Sequence, residues 1–351
     1  MTASWLYAIA ATAALAAAAA PMSDAKEPVT MPSAEVRSLS RGGGDCPFVQ
    51  LSLLSLQVTP VPPSPNREVS DCGYVSHEGI RIERFDHVGP HGFYRIEYIK
   101  RENGTPDRFS IFLRGGPRSM TSGVGPLPFK IQLPVRLAEQ SGTGVIAPSY
   151  LGTWTRSLYP RQDSDAAGRE IADLSRQLSA LHPRAQISVV AESAGSLVGL
   201  HMLAHRALPI VLVFPPAASL SELVTDPRGT DVAPAAAAQL SRFYRYRPGT
   251  EDPELVTVTS VDQLSAFAGS DYGKSLADLI GELQPQPRAC IAIVYGTADR
   301  RVRNARLAEV RARFPSVPIR AMEGMGHGAA DEEQAEALAR TVREVMPARC
   351  S

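Results

Sequence analysis

The chain has 351 residues, 44% of them hydrophobic and 21% charged. That is ordinary globular composition, and it excludes intrinsic disorder, collagen-like fibre and a multi-span membrane protein. Lys+Arg and Asp+Glu are both 36, so the formal net charge is zero and no global basic field exists to hold a nucleic acid. At roughly 100–200 residues per domain the length allows one large domain or two ordinary ones.

Trp5 to Ala20 carries no charge, and ten of its sixteen residues are Ala. Such a run is too short and too weakly apolar for a membrane span, which needs about 20 stronger hydrophobes. It fits the apolar core of a secretory signal, although no Lys or Arg precedes it. Ser23-Asp24-Ala25 places small residues at the two cleavage positions. The expectation is a signal peptide over residues 1–25, cut near Ala25, giving a periplasmic or secreted chain without stable membrane insertion. An uncleaved anchor and a cytoplasmic Ala-rich tail are the alternatives.

Residues 26–78 form a Pro-rich extension, with one strand expected in the apolar stretch Pro47 to Val58. Cys46, Cys72, Cys290 and Cys350 include no CxxC pair, so a zinc ribbon or thioredoxin-like site is not indicated. The most local pairing is Cys46–Cys72 with Cys290–Cys350. Four buried thiols are the alternative, since disulfides need an oxidising compartment.

Ile80–Val88 and Gly92–Lys100 read as a hairpin. Short apolar runs at Phe109–Leu113, Gly144–Tyr150, Ile187–Ala191, Ile210–Phe214, Cys290–Tyr295 and Val317–Met322 read as strands. Ala167, Ile171, Leu174, Leu178 and Leu181 recur at helical steps within Ser164–Leu181. A helix follows Ala191 through His205, and another spans Asp331–Met346, its three leading acids at the positive end. The alternation predicts an α/β fold with a mostly parallel sheet. About 75 residues with helical stretches and no clear strand separate two of these strands, so a cap inserted at about 217–287 is expected over the sheet's carboxyl edge.

The strand ending at Ala191 meets the next helix with almost no loop, and Ser193 occupies the junction between Ala191 and Gly195. Small neighbours suit a nucleophile on so tight a turn, because backbones crowd there. Gly296-Thr-Ala-Asp299 follows a later strand, and Gly324-Met-Gly-His327-Gly328 follows the last one. The order Ser, acid, His supplies a nucleophile, an orienting carboxylate and a base. Asp226 and Asp231 compete with Asp299 for the acid. The bland alternatives are a Ser helix cap, a loop acid and a surface His.

These residues resemble the α/β-hydrolase superfamily of serine hydrolases, whose GxSxG elbow has Ala191 here at its first glycine. The resemblance covers roughly residues 80–348 and implies an α/β-hydrolase fold over residues 79–351. It implies catalytic Ser193, Asp299 and His327, with Ala194 and one of Gly115 or Gly116 as oxyanion donors. Arg114-Gly-Gly-Pro117 is similar to the HGGP loop of prolyl iminopeptidases and prolyl-oligopeptidase catalytic domains. Tyr150, Trp154 and Arg156 are expected at the substrate pocket. Arg242–Arg247 alternates bases and aromatics, and reads either as a recognition strip for an acidic or aromatic group or as a solvated helix face. The implied function is an exported serine hydrolase cleaving a carboxylic ester. A serine peptidase and a silent hydrolase-fold binding protein are the alternatives. The partner is a small-molecule or peptide substrate, with no metal, organic cofactor or nucleic acid: no HExxH, Cys/His cluster or dinucleotide fingerprint appears.

Overall fold

Five apolar runs become the centre of one sheet because each is covered on both faces. A computed structural model describes residues 48–52, 55–59, 73–89, 92–115, 129–140, 142–148, 164–225, 240–246, 253–259, 265, 268–348 and 350. In chain order these form β1 (Phe48–Ser52), β2 (Ser55–Thr59), β3 (Gly73–His77), β4 (Ile80–Gly89), β5 (Gly92–Arg101) and β6 (Arg108–Leu113). Then come α1 (Leu133–Glu139), β7 (Thr143–Pro148), α2 (Ser164–Leu181), β8 (Gln186–Glu192), α3 (Gly195–His205) and β9 (Ile210–Val213). After these follow α4 (Leu220–Thr225), β10 (Leu240–Tyr246), β11 (Pro253–Thr259), α5 (Leu276–Glu282) and α6 (Pro285–Arg288). The chain closes with β12 (Ile291–Gly296), α7 (Leu307–Arg313), β13 (Ile319–Met322) and α8 (Glu332–Val345).

The main sheet runs β13-β12-β9-β8-β6-β7-β5-β4-β1-β2, with β3 also on β4. From β13 to β7 every neighbour is parallel, and β5 and β4 continue antiparallel as a hairpin. Consecutive side chains point to opposite faces. Ile111, Val189, Ile210 and Ile291 therefore join one core with α2, α3 and α5. Phe112, Val190, Val211 and Ala292 join a second core with α1 and α8. The result is a helix–sheet–helix sandwich. Such strands read as continuous apolar runs because neither face meets water.

The helix at Ser164–Leu181 appears at its expected bounds, and Ala167, Ile171, Leu174 and Leu178 are buried. Asp331 caps α8, its Oδ1 accepting from Gln334 N at 2.8 Å. The last strand starts later than expected, at Ile319. Pro318 has no N–H to give the ladder, and only its carbonyl pairs, accepting from Ile293 N at 2.8 Å.

Two expectations need correction. The extension before residue 79 holds three strands rather than one. Two of them pair with β4: β3 antiparallel along its length, β1 parallel at Phe48↔Asp86. The stretch between β9 and β12 is not strand-free, because β10 and β11 form a separate antiparallel pair. Arg242, Phe243, Tyr244, Arg245 and Tyr246 thus lie on a strand, not a helix face. Aromatic residues favour the pleated backbone, and seven paired positions hold it. Both ends of the 217–287 stretch enter the first core through Ala217, Leu220, Leu276 and Ile280.

The structure pairs Cys290, just before β12, with Cys350, Cα atoms 4.6 Å apart. Cys46, Cys72 and residues 1–25 lie outside the described residues. Among the described residues no helix is long and apolar enough to cross a membrane.

Candidate active site

Parallel strands put all their carboxyl ends on one edge, and the loops there converge. Ser193 follows β8 with φ 50°. A non-glycine residue in this left-handed region costs about 1–3 kcal/mol, so neighbours must hold it. Its N–H donates to the Val213 carbonyl at the end of β9 (2.8 Å), and its carbonyl accepts from Ser196 N (2.9 Å). Ser196 Oγ donates back to the Ala191 carbonyl at 3.3 Å. The turn is thus clamped from the neighbouring strand and from the first turn of α3.

Ala191 in place of a glycine is accommodated by a glycine across from it. A Cβ on Gly199 in α3 would fall 3.2 Å from Ala191 Cβ and 2.6 Å from Ile210 Cδ1. Helix and strand therefore approach closely with the methyl on the strand side. The Gly199 signal was present in the sequence, one turn into the helix.

Asp299 lies on the loop after β12, its carboxylate shielded from solvent. Oδ1 accepts from Arg301 N at 2.8 Å, and Oδ2 faces His327 Nδ1 at 2.7 Å. A carboxylate only accepts, so Nδ1 carries the proton and Nε2 presents a lone pair. That lone pair faces Ser193 Oγ at 3.0 Å. The acid and His loops are stitched together by Ala298 N to Met325 O (3.0 Å) and Gly324 N to Thr297 Oγ1 (2.8 Å). Asn304 donates from Nδ2 to the Gly296 carbonyl at 2.7 Å, closing the acid loop on itself. Sequence reading overlooked Asn304, and an Asn in a charged loop carries no periodic signal.

It also overlooked Phe214. This residue directly follows β9 at φ 50° and is fully buried, with its ring 5.8 Å from the His327 ring at 47°. It forms one wall of the imidazole's seat.

Ala194 occupies the N-cap of α3, where helix N–H groups lack intrahelical acceptors and favour negative charge. Gly115, just past β6, brings bare backbone against the serine: a Cβ there would fall 2.4 Å from Ser193 Cβ and 3.1 Å from its Oγ. The structure therefore brings Ser193, Asp299, His327, Ala194 and Gly115 together. Gly116, Tyr150, Trp154, Arg156, Asp226 and Asp231 lie outside the described residues. Beside His327 opens a cleft of about 500 Å³. The arrangement can deprotonate a hydroxyl through an oriented imidazole, next to helix N–H donors for a developing oxyanion.

The family model described as the alpha/beta hydrolase family matches residues 111–341. The chain belongs to that family, and its sheet order and flanking helices are the corresponding fold. A comparison with curated proteins finds no match. Similar solved structures include carboxyl esterase 2 from the mycorrhizal fungus Tuber melanosporum (17% identity, 80% of this chain, 92% of that one, TM-score 0.49). An esterase from the bacterial hormone-sensitive lipase family is 18% identical over 77% of this chain and 85% of its own, TM-score 0.49. A lidless serine hydrolase from Xanthomonas campestris is 14% identical over 76% and 96%, TM-score 0.47.

Proposed function

We propose that the chain is an exported serine hydrolase that cleaves a carboxylic ester through Ser193, His327 and Asp299. The observation that carries the reading is the relay Ser193 Oγ···Nε2 His327 Nδ1···Oδ2 Asp299, at 3.0 and 2.7 Å. Ser193 Oγ attacks the carbonyl carbon while His327 Nε2 takes its proton. Asp299 holds the imidazole in its tautomer and stabilises the imidazolium that forms. The oxyanion is stabilised by the Ala194 N–H and by a donor from the Gly115–Gly116 turn, each such bond contributing about 3–4 kcal/mol. The C–O bond to the alcohol then breaks, and the imidazolium protonates the departing oxygen. Water, deprotonated by His327, attacks the acyl-enzyme, releasing the acid and restoring Ser193.

The Arg114-Gly115 pair after β6 supports peptidase chemistry as a second reading, through its sequence likeness to the HGGP loop. Export is supported by the apolar leader and by the Cys290–Cys350 pair, since cytosolic thiols are kept reduced. A panel of p-nitrophenyl esters against aminoacyl-nitroanilides separates the two chemistries. A fluorophosphonate probe should label the protein at Ser193, and labelling that survives Ser193→Ala removes the nucleophile assignment.

A further inference from the structure

The cleft beside His327 is unevenly charged. Arg114 at the end of β6 lines it, as do Arg300 and Arg301 from the acid loop, while Glu192 is the one carboxylate in its wall among the described residues. Arg114 and Glu192 are half-buried, and Arg300 and Arg301 are exposed. Among the described residues three arginines and one glutamate line the cleft, so its described wall carries an excess of positive charge at neutral pH. Arg114 and Arg301 each engage neighbours.

Its position says which half of an ester it meets. Among the described residues the wall includes His327, Gly328 and Ala329 but neither Ser193 nor Ala194. Nε2 of His327 hands its proton to the oxygen that leaves, so space on the imidazole side receives the alcohol.

We propose that the alcohol part of the substrate carries an anionic oxygen group, a carboxylate or a phosphate, received in this cleft by Arg300 with Arg114 and Arg301. The inference rests on the ester-hydrolase reading above. Guanidinium binds either group through paired N–H donors, and the cleft's field draws anions toward His327 while salt weakens that draw. Glu192 in the same wall opposes a second negative charge, which favours a single anion.

The test compares kcat/KM for para-acetoxybenzoate and para-acetoxyphenyl phosphate with that for neutral para-acetoxybenzamide. At low salt one or both anionic esters should exceed the amide roughly tenfold, with the advantage shrinking in high salt. The better of the two identifies the anion. Arg300→Glu should cut the anionic-to-neutral ratio about tenfold, and Arg300→Lys should retain more of it. Arg300 is exposed, and unfolding curves of the variants confirm that the fold is kept. A wild-type ratio near one, or a ratio indifferent to Arg300→Glu, overturns the inference. So does a preference that appears only when the charge sits on the acyl half, as in mono-p-nitrophenyl succinate against p-nitrophenyl butyrate. Absence of fluorophosphonate labelling at Ser193 overturns the hydrolase reading itself and this inference with it. Labelling without an anion preference overturns this inference alone.

Discussion

The backbone of Gly115 lies directly against the Ser193 side chain, so close that a methyl group there would stand 2.4 Å from Ser193 Cβ. The first residues after β6 thereby define one side of the space where a tetrahedral intermediate forms. Gly115→Ala must push either the β6 loop or the serine aside. The expected result is a fall in kcat of about 100-fold or more, read with p-nitrophenyl esters, alongside a lowered unfolding midpoint. Wild-type turnover in this variant would show that the turn yields without touching the chemistry.

Asp299→Asn keeps the shape of the loop but offers His327 Nδ1 an amide in place of a carboxylate. The imidazole then loses its fixed tautomer and the partner of its positive form. Turnover should drop by about three to four orders of magnitude, with circular dichroism unchanged. Near-normal activity would move the acid to Asp226 or Asp231.

Asp271 ties α3 to the segment before α5. Its carboxylate pairs with His201 Nε2 and, through Oδ1, with Lys274 Nζ at 3.0 Å. Burial alone would raise its pKa. The bonds from His201 and Lys274 outweigh that, and the group sits below its ordinary 3.8. A lowered carboxyl pKa stabilises the fold above the unfolded value, and the contribution fades as pH falls through the folded value. Asp271→Asn should therefore destabilise by roughly 1–3 kcal/mol near neutrality. In denaturant titrations the gap between wild type and variant should close below about pH 4. A gap that persists into strong acid would mean that the carboxylate charge is not what holds the segment.

Cys290 and Cys350 close a loop with a sequence separation of 60. In the chain-entropy account a bridge of that size contributes roughly 4 kcal/mol by restricting the unfolded chain. Non-reducing mass spectrometry of the protein should find this pair, and a reductant should lower the unfolding midpoint. Two free thiols at these positions would refute it.

Local order along the chain was legible without a structure, and so were the three residues that the fold brings within hydrogen-bond distance. Buried parallel strands are continuous apolar runs, and α2 declares itself by its three- and four-residue steps. Ser193, Asp299 and His327 were each recognisable by following a strand, in the chain order of the family that the sequence resembles. Less legible were elements whose partners are distant or whose length is short. Of the strands before residue 79, β1 and β3 depend on pairing with β4 and β2 on pairing with β1, and α1, α4 and α5 are too brief for a periodic signal to stand out. The Arg–aromatic strip at 242–246 fitted more than one backbone, and cross-strand pairing with β11 decided it.

The sequence by itself determined that this chain alternates strand and helix, and that a serine, an acid and a histidine follow three of its strands. Only the tertiary structure decided that they meet. Ser193 and His327 are 134 positions apart, and a 3.0 Å contact between them requires β8, β9, β12 and β13 to lie side by side in parallel. It also decided what holds them: Phe214 beside the imidazole, Gly199 opposite Ala191, and Gly115 against the serine. Those contacts arise from packing between distant segments, which no local pattern encodes, because a side chain's neighbours in space are chosen by the whole fold.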